Sequence, residues 1–123
     1  MDYFCGPLTL YTRDKIRLID FLSDVFEFDV DTQSDLISGG TYSLQVVESP
    51  NDSIVNSDSI SFLFELKNSH ELEEIINKFN FFLYRNIGRP HAFEQISIKK
   101  ESEISIRDLD GREWKFKSRA ALL

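Results

Sequence analysis

The sequence predicts an α+β domain in which a strand–helix–strands unit occurs twice. Three observations predict it. Two amphipathic segments with helical spacing, each opened by a capping side chain, occupy corresponding places in the two halves. Short segments that alternate apolar and polar residues flank each of them, as half-buried strands require. A polar stretch over residues 49–59 separates the halves near mid-chain. The 123 residues suit one ordinary domain, with a first module over about 7–48 and a second over about 60–117.

Leu8 to Thr12 alternates and runs into Arg13-Asp14. Asp14 is a good N-cap, because its carboxylate accepts bonds from the first unpaired backbone N–H groups. Behind it, Ile16, Ile19, Leu22, Val25 and Phe26 predict one apolar face, opposite Asp20, Ser23 and Asp24. Gly39-Gly40 punctuates, and Tyr42 to Val47 reads as a strand. After the linker, Ile60 to Leu66 is a strand. Ser69, or Asn68 before it, then caps a second helix to about Asn80, with Leu72, Ile75, Ile76 and Phe79 on one face. Phe81 to Tyr84 reads as a short strand and Arg85 to Pro90 as a loop. Phe93 to Ile98 and Ser102 to Asp108 read as strands. Asp110-Gly111 signals a hairpin, and Trp114-Lys115-Phe116 returns from it.

Charge excludes some functions. Fourteen basic against 21 acidic residues give a net charge of −7. Nucleic-acid binders and proteins of anionic membranes need a positive surface, so neither partner is expected. The single cysteine, Cys5, makes no intramolecular disulfide. Met1-Asp2-Tyr3-Phe4 lacks a basic region followed by an apolar one, so no signal peptide is expected. No apolar run is long enough for a membrane helix. A soluble, cytoplasmic protein is the expectation.

Isolated candidates are bland. His70 falls in the first turn of the second helix and reads as a solvated side chain. His91 lies in a loop, with no second His, Cys or Ser at a recognisable spacing, so no catalytic residue is assigned. Cys5 reads as a small apolar residue. Glu71, Glu73 and Glu74 suit the positive end of a helix, and Trp114 and Phe116 read as core.

Three segments carry a family resemblance. Leu8-Thr9-Leu10-Tyr11-Thr12-Arg13-Asp14, leading to Ile19-Asp20-Phe21-Leu22, is similar to the opening strand and Asp-capped helix of the vicinal oxygen chelate superfamily. This is the fold of glyoxalases, bleomycin-resistance proteins and extradiol dioxygenases. Asp108-Leu109-Asp110-Gly111-Arg112-Glu113-Trp114 resembles that superfamily's closing hairpin, with Leu109 where Pro is usual. The order βαβββ, twice in succession, completes the resemblance over residues 7–117. It implies two modules whose curved mixed sheets surround a cleft with helices outside, and a homodimer.

The superfamily's chemistry rests on a divalent metal held by four inward-facing side chains. The matching positions here are Pro7, Gln45, Ser61 and Lys115. Proline offers no side-chain donor, serine is a poor neutral ligand and a protonated lysine repels a cation, so only Gln45 suits a metal. Glu113, two residues from Lys115, and Glu65, four from Ser61, lie on the same strand faces and are the substitutes to consider. No metal and no cofactor are expected.

Residues two apart share a sheet face. If Ser61 and Lys115 face the cleft, so do Thr9, Tyr11, Ser43, Gln45, Val47, Leu63, Glu65, Arg107 and Glu113. Leu8, Leu10, Leu44, Val46, Phe62, Phe64, Trp114 and Phe116 then face the helices. The resulting candidate ligand site is Thr9, Tyr11, Gln45, Ser61, Glu65, Arg107, Glu113 and Lys115. The favoured function is metal-free binding of a small organic molecule, anionic or carbonyl-bearing. The alternatives are a metal-dependent lyase, dioxygenase or isomerase of the superfamily, and an interaction protein with a vestigial cleft.

Overall fold

The computed structural model describes residues 6–39, 42–49, 51, 61–88, 97–100 and 102–118. Cys5, His91, the expected strand residues 93–96 and most of the linker lie outside them. The chain divides into two compact units, residues 1–55 and 56–123.

The first unit runs β1 (Leu8–Thr12), α1 (Lys15–Phe26), β2 (Asp29–Asp31), β3 (Leu36–Gly39) and β4 (Tyr42–Glu48). Its sheet has the order β1-β4-β3-β2, with β1 parallel to β4 and the other pairs antiparallel. The second unit repeats this plan with β5 (Ser61–Leu66), α2 (Ser69–Arg85), β6 (Ser97–Lys100), β7 (Glu103–Arg107) and β8 (Glu113–Ser118). Its order is β5-β8-β7-β6, and again the first strand lies parallel to the last. Each unit is therefore βαβββ, and the fold class is α+β.

Helix α1 starts where Asp14 Oδ1 accepts from the Arg17 N–H at 3.2 Å. Glu48 Oε1, at the end of β4, accepts from the Lys15 N–H at 2.9 Å, tying a second helix-start donor to the sheet. The buried stripe is Leu18, Phe21, Leu22 and Val25, together with Arg17. This corrects the expected face: Ile16 is 69% exposed, because the stripe spaced 18, 21, 22, 25 turns it outward. Leu10, Ile37, Leu44 and Val46 form the buried face of the sheet, and α1 packs against β4.

Helix α2 is capped by Asn68 rather than Ser69. Asn68 Oδ1 accepts from the Glu71 N–H at 3.0 Å, and Glu71 Oε2 accepts from the Lys67 N–H at 2.9 Å. The helix runs to Arg85, so Phe81–Tyr84 is helix and not strand. Aromatic residues favour strands only weakly. Leu72, Phe79 and Phe82 are buried at helical spacing, and nothing breaks the helix before Asn86 ends it with Nδ2 donating to the Phe82 carbonyl at 2.7 Å. The sheet's buried face is Ile104, Ile106, Trp114 and Phe116. Phe62 stacks on Trp114 at 4.6 Å between ring centroids and Phe64 on Phe116 at 5.3 Å. Helix α2 packs on β8 and β5. Among the described residues, no helix is long and apolar enough to cross a membrane.

Candidate functional site

Strand parity divides each sheet into a helix-facing side and an opposite side. In the first unit, Thr9 pairs with Gln45, which pairs with Leu36, and Tyr11 pairs with Val47. These residues lie opposite the buried Leu10, Leu44 and Val46. Thr9, Tyr11 and Val47 are exposed, whereas Ser43 and Gln45 are half-buried. Gln45 Nε2 donates to the Ser34 carbonyl, so this amide already holds the turn before β3. Pro7, just before β1, is exposed.

The second unit gathers more chemistry on one face. Its register sets three rows across β5, β8 and β7: Ser61–Glu113–Arg107, then Leu63–Lys115–Ser105, then Glu65–Lys117–Glu103. Residues paired at one level share a face. Lys115 Nζ lies 3.4 Å from Glu113 Oε1. Ser105 Oγ donates to Glu113 Oε2 at 2.8 Å, and this hydrogen bond, followed by Lys115, holds the Glu113 carboxyl below its ordinary value. Arg107 Nη1 donates to the Gly111 carbonyl at 2.8 Å. Leu63, opposite Lys115, is 60% exposed and supplies an apolar surface beside the charges.

Glu113, Lys115 and Arg107 thus form one polar group with Ser105. Ser61 and Glu65 lie exposed on β5 beside them, while Thr9, Tyr11 and Gln45 belong to the other unit's sheet. Ser105 and Lys117 were not singled out in the sequence. Their parity with Arg107 and Lys115 places them on this face.

The hairpin that aims this face is held from below. Asp108 Oδ1 accepts from the Asp110 and Arg112 N–H groups at 2.8 and 3.1 Å. Its Oδ2 accepts from Arg112 Nη1 at 3.0 Å and Trp114 Nε1 at 2.9 Å. Arg112 Nη1 also reaches Asp110 Oδ2 at 3.2 Å, and all three charged side chains are fully buried. Burial pushes the Asp108 carboxyl above its ordinary value, and Arg112 and Trp114 pull against it. Gly111 supplies the positive φ of the turn, +87°. His70, by contrast, is a surface side chain 3.3 Å from Glu74. Among the described residues, no three His, Cys, Asp or Glu side chains stand together in a way that suits a metal.

Comparison with solved structures places this topology. A fosfomycin resistance protein, FosX, from Listeria monocytogenes, complexed with Mn(II) and sulfate, superimposes with a TM-score of 0.68 at 15% identity, over 96% of this chain and 91% of that one. FosX from Mesorhizobium loti gives 0.65 at 12% identity, over 96% and 93%. The fold is that of the vicinal oxygen chelate superfamily. A virulence protein from Salmonella typhimurium superimposes with a TM-score of 0.62 at 17% identity, over 96% of this chain and 98% of that one. No family model matches the sequence, and no curated protein matches it. The likeness is one of fold.

Proposed function

We propose that this chain binds a small organic molecule, anionic or carbonyl-bearing, on the sheet face opposite α2, and that it does so without a metal. The observation that carries the reading is Lys115. It stands at the position matched to a metal-ligating carboxylate, and its ammonium is 3.4 Å from Glu113. A cation placed there meets a positive charge, and Glu113 already holds Ser105 and Lys115. Pro7 and Ser61 add no good donor, and the Gln45 amide is engaged by Ser34. The donor set does not fit a divalent metal.

The face suits a ligand in other ways. Small-molecule sites combine apolar surface with a few convergent polar groups. On the second unit's sheet Leu63 supplies the first, with Lys115, Arg107, Glu113, Ser61 and Glu65 as the polar set. The Lys115–Glu113 pair has a bland reading as a partly exposed ion pair between neighbours on one face of β8. A pair this exposed contributes only about 0.2–1 kcal/mol to stability, so the fold does not depend on it.

Thermal-shift screening of a metabolite library in the presence of a chelator tests the proposal. Fosfomycin belongs in that library, because two of the similar structures are fosfomycin resistance proteins. Hits whose stabilisation survives the chelator support the reading. Hits that appear only with added manganese or zinc overturn the metal-free part of it. We also propose a homodimer, as the resemblance implies. Light scattering returning twice the 14.3 kDa chain mass supports this, and the chain mass itself contradicts it.

A further inference from the structure

We infer that the outer face of the last turns of α2 is a docking surface for a second copy of this chain, which seats the acidic end of its α1 there. The inference rests on the homodimer proposed above and names its contact surface.

Charge is segregated along the chain. No Lys or Arg lies between Arg17 and Lys67, a stretch that holds ten of the 21 Asp and Glu residues. No Asp or Glu lies between Glu74 and Glu94, where Lys78 and Arg85 fall. The α2 face in that second stretch is also apolar. Phe81 and Tyr84 on the helix, and Ile87 just beyond it, are 59%, 72% and 76% exposed at intervals of three residues. The Arg85 guanidinium lies over the Phe81 ring, 5.3 Å from its centroid. Large apolar side chains grouped on a surface mark a place of association, and aromatic residues with Arg are what interfaces favour.

Charge complementarity names the occupant. A face of cations and aromatic rings fits one of carboxylates and rings. The end of α1 is such a face. Asp24, Glu27 and Asp29 are exposed there, interleaved with half-buried Phe26 and Phe28, whose ring centroids lie 5.5 Å apart. The last turn of α1 holds no basic residue, although a helix C-terminus is its negative end and favours a cation. Glu27 stands at that end with a φ of +59°, in the left-handed conformation that favours glycine. Arg85 of a second copy offsets this crowding of negative charge. Three apolar side chains cover little area for a stable complex. Each copy carries both surfaces, however, so a reciprocal pair makes the contact twice.

Sedimentation velocity of the intact chain, at low and at high salt, tests the inference. The wild type is expected to form a dimer whose affinity falls as salt rises. Arg85→Glu and Glu27→Lys each bring like charges together in both contacts, and each weakens association about 10-fold or more. Mixed in equal amounts, the two variants again place opposite charges in both contacts. The mixture is expected to associate within about 3-fold of the wild type, a rescue that misfolded variants cannot give. Tyr84→Ser weakens association without any change of charge. A wild-type dimer that neither charge variant weakens, or variants whose mixture stays apart, overturns this surface and leaves the homodimer standing. A wild type that stays at the chain mass overturns both. Binding to phosphatidylserine vesicles that is lost in Arg85→Glu, with association indifferent to Glu27→Lys, assigns the α2 face to a lipid surface and overturns the second copy as its occupant.

Discussion

Lys115 and Glu113, two residues apart on β8, face the same way and meet at 3.4 Å on the side of the sheet opposite α2. Two residues on, Lys117 sits in the same register between Glu65 and Glu103. The face is therefore a ladder of charge anchored on one hairpin, and the hairpin's own fixation decides how well the ladder is aimed.

That fixation predicts a large effect at Asp108. Its carboxylate takes four donors, among them the buried guanidinium of Arg112. Removing one partner of a buried ion pair typically costs about 3–5 kcal/mol. Asp108→Ala is expected to lower the urea midpoint accordingly, and Asp110→Ala to cost less, because Asp108 still holds Arg112. Equal, small effects at the two positions contradict the network as drawn.

Trp114 is the chain's single tryptophan, fully buried and donating its Nε1–H to Asp108. Trp114→Phe keeps the stacking ring but removes a hydrogen bond to a charged group, a loss of about 1–3 kcal/mol. Circular-dichroism melts measure it. A variant as stable as the wild type means that the indole N–H contributes nothing to holding the hairpin.

Glu113 predicts a pH dependence. Its folded value lies below the ordinary 4.5, through Ser105 first and Lys115 after it. The unfolded chain therefore binds a proton at higher pH than the folded one, so Glu113 stabilises the fold above its unfolded value and this is lost as pH falls through the folded value. Asp108 has the opposite sign, because its raised value favours the folded state as pH falls. Comparing wild type with Glu113→Gln cancels Asp108. The gap in melting temperature between them is expected to shrink as pH falls below the ordinary carboxyl value of 4.5, and a constant gap contradicts the assignment.

Much of this was legible in the sequence. The alternation of Leu10, Leu44, Val46, Trp114 and Phe116 against Gln45, Glu113 and Lys115 marked the two faces, because a strand's period of two leaves one choice of side. Asp14 and the Asp110-Gly111 turn were legible for the same local reason. The rotation of α1 was not, since Ile16 and Leu18 are both apolar and the sheet beneath decides which is buried. Strands β2 and β3, only three and four residues long, carry too short a pattern to mark themselves. Of the Asp108–Arg112–Trp114 network the sequence shows only a turn and a core residue. Its hydrogen bonds depend on the hairpin having already formed.

Helix capping offers a modest check on local order. Asp14→Ala and Asn68→Ala remove the carboxylate and amide that accept from Arg17 and Glu71, and each is expected to cost about 1 kcal/mol in urea unfolding.

Calorimetric titration of the wild-type protein with a chelator-resistant library hit, in EDTA throughout, tests the central claim most directly. The account predicts stoichiometric binding in EDTA, unchanged by adding back excess manganese or zinc, and lost in Lys115→Ala with its fold intact. Binding that needs the added metal, or that survives Lys115→Ala at full affinity, contradicts it.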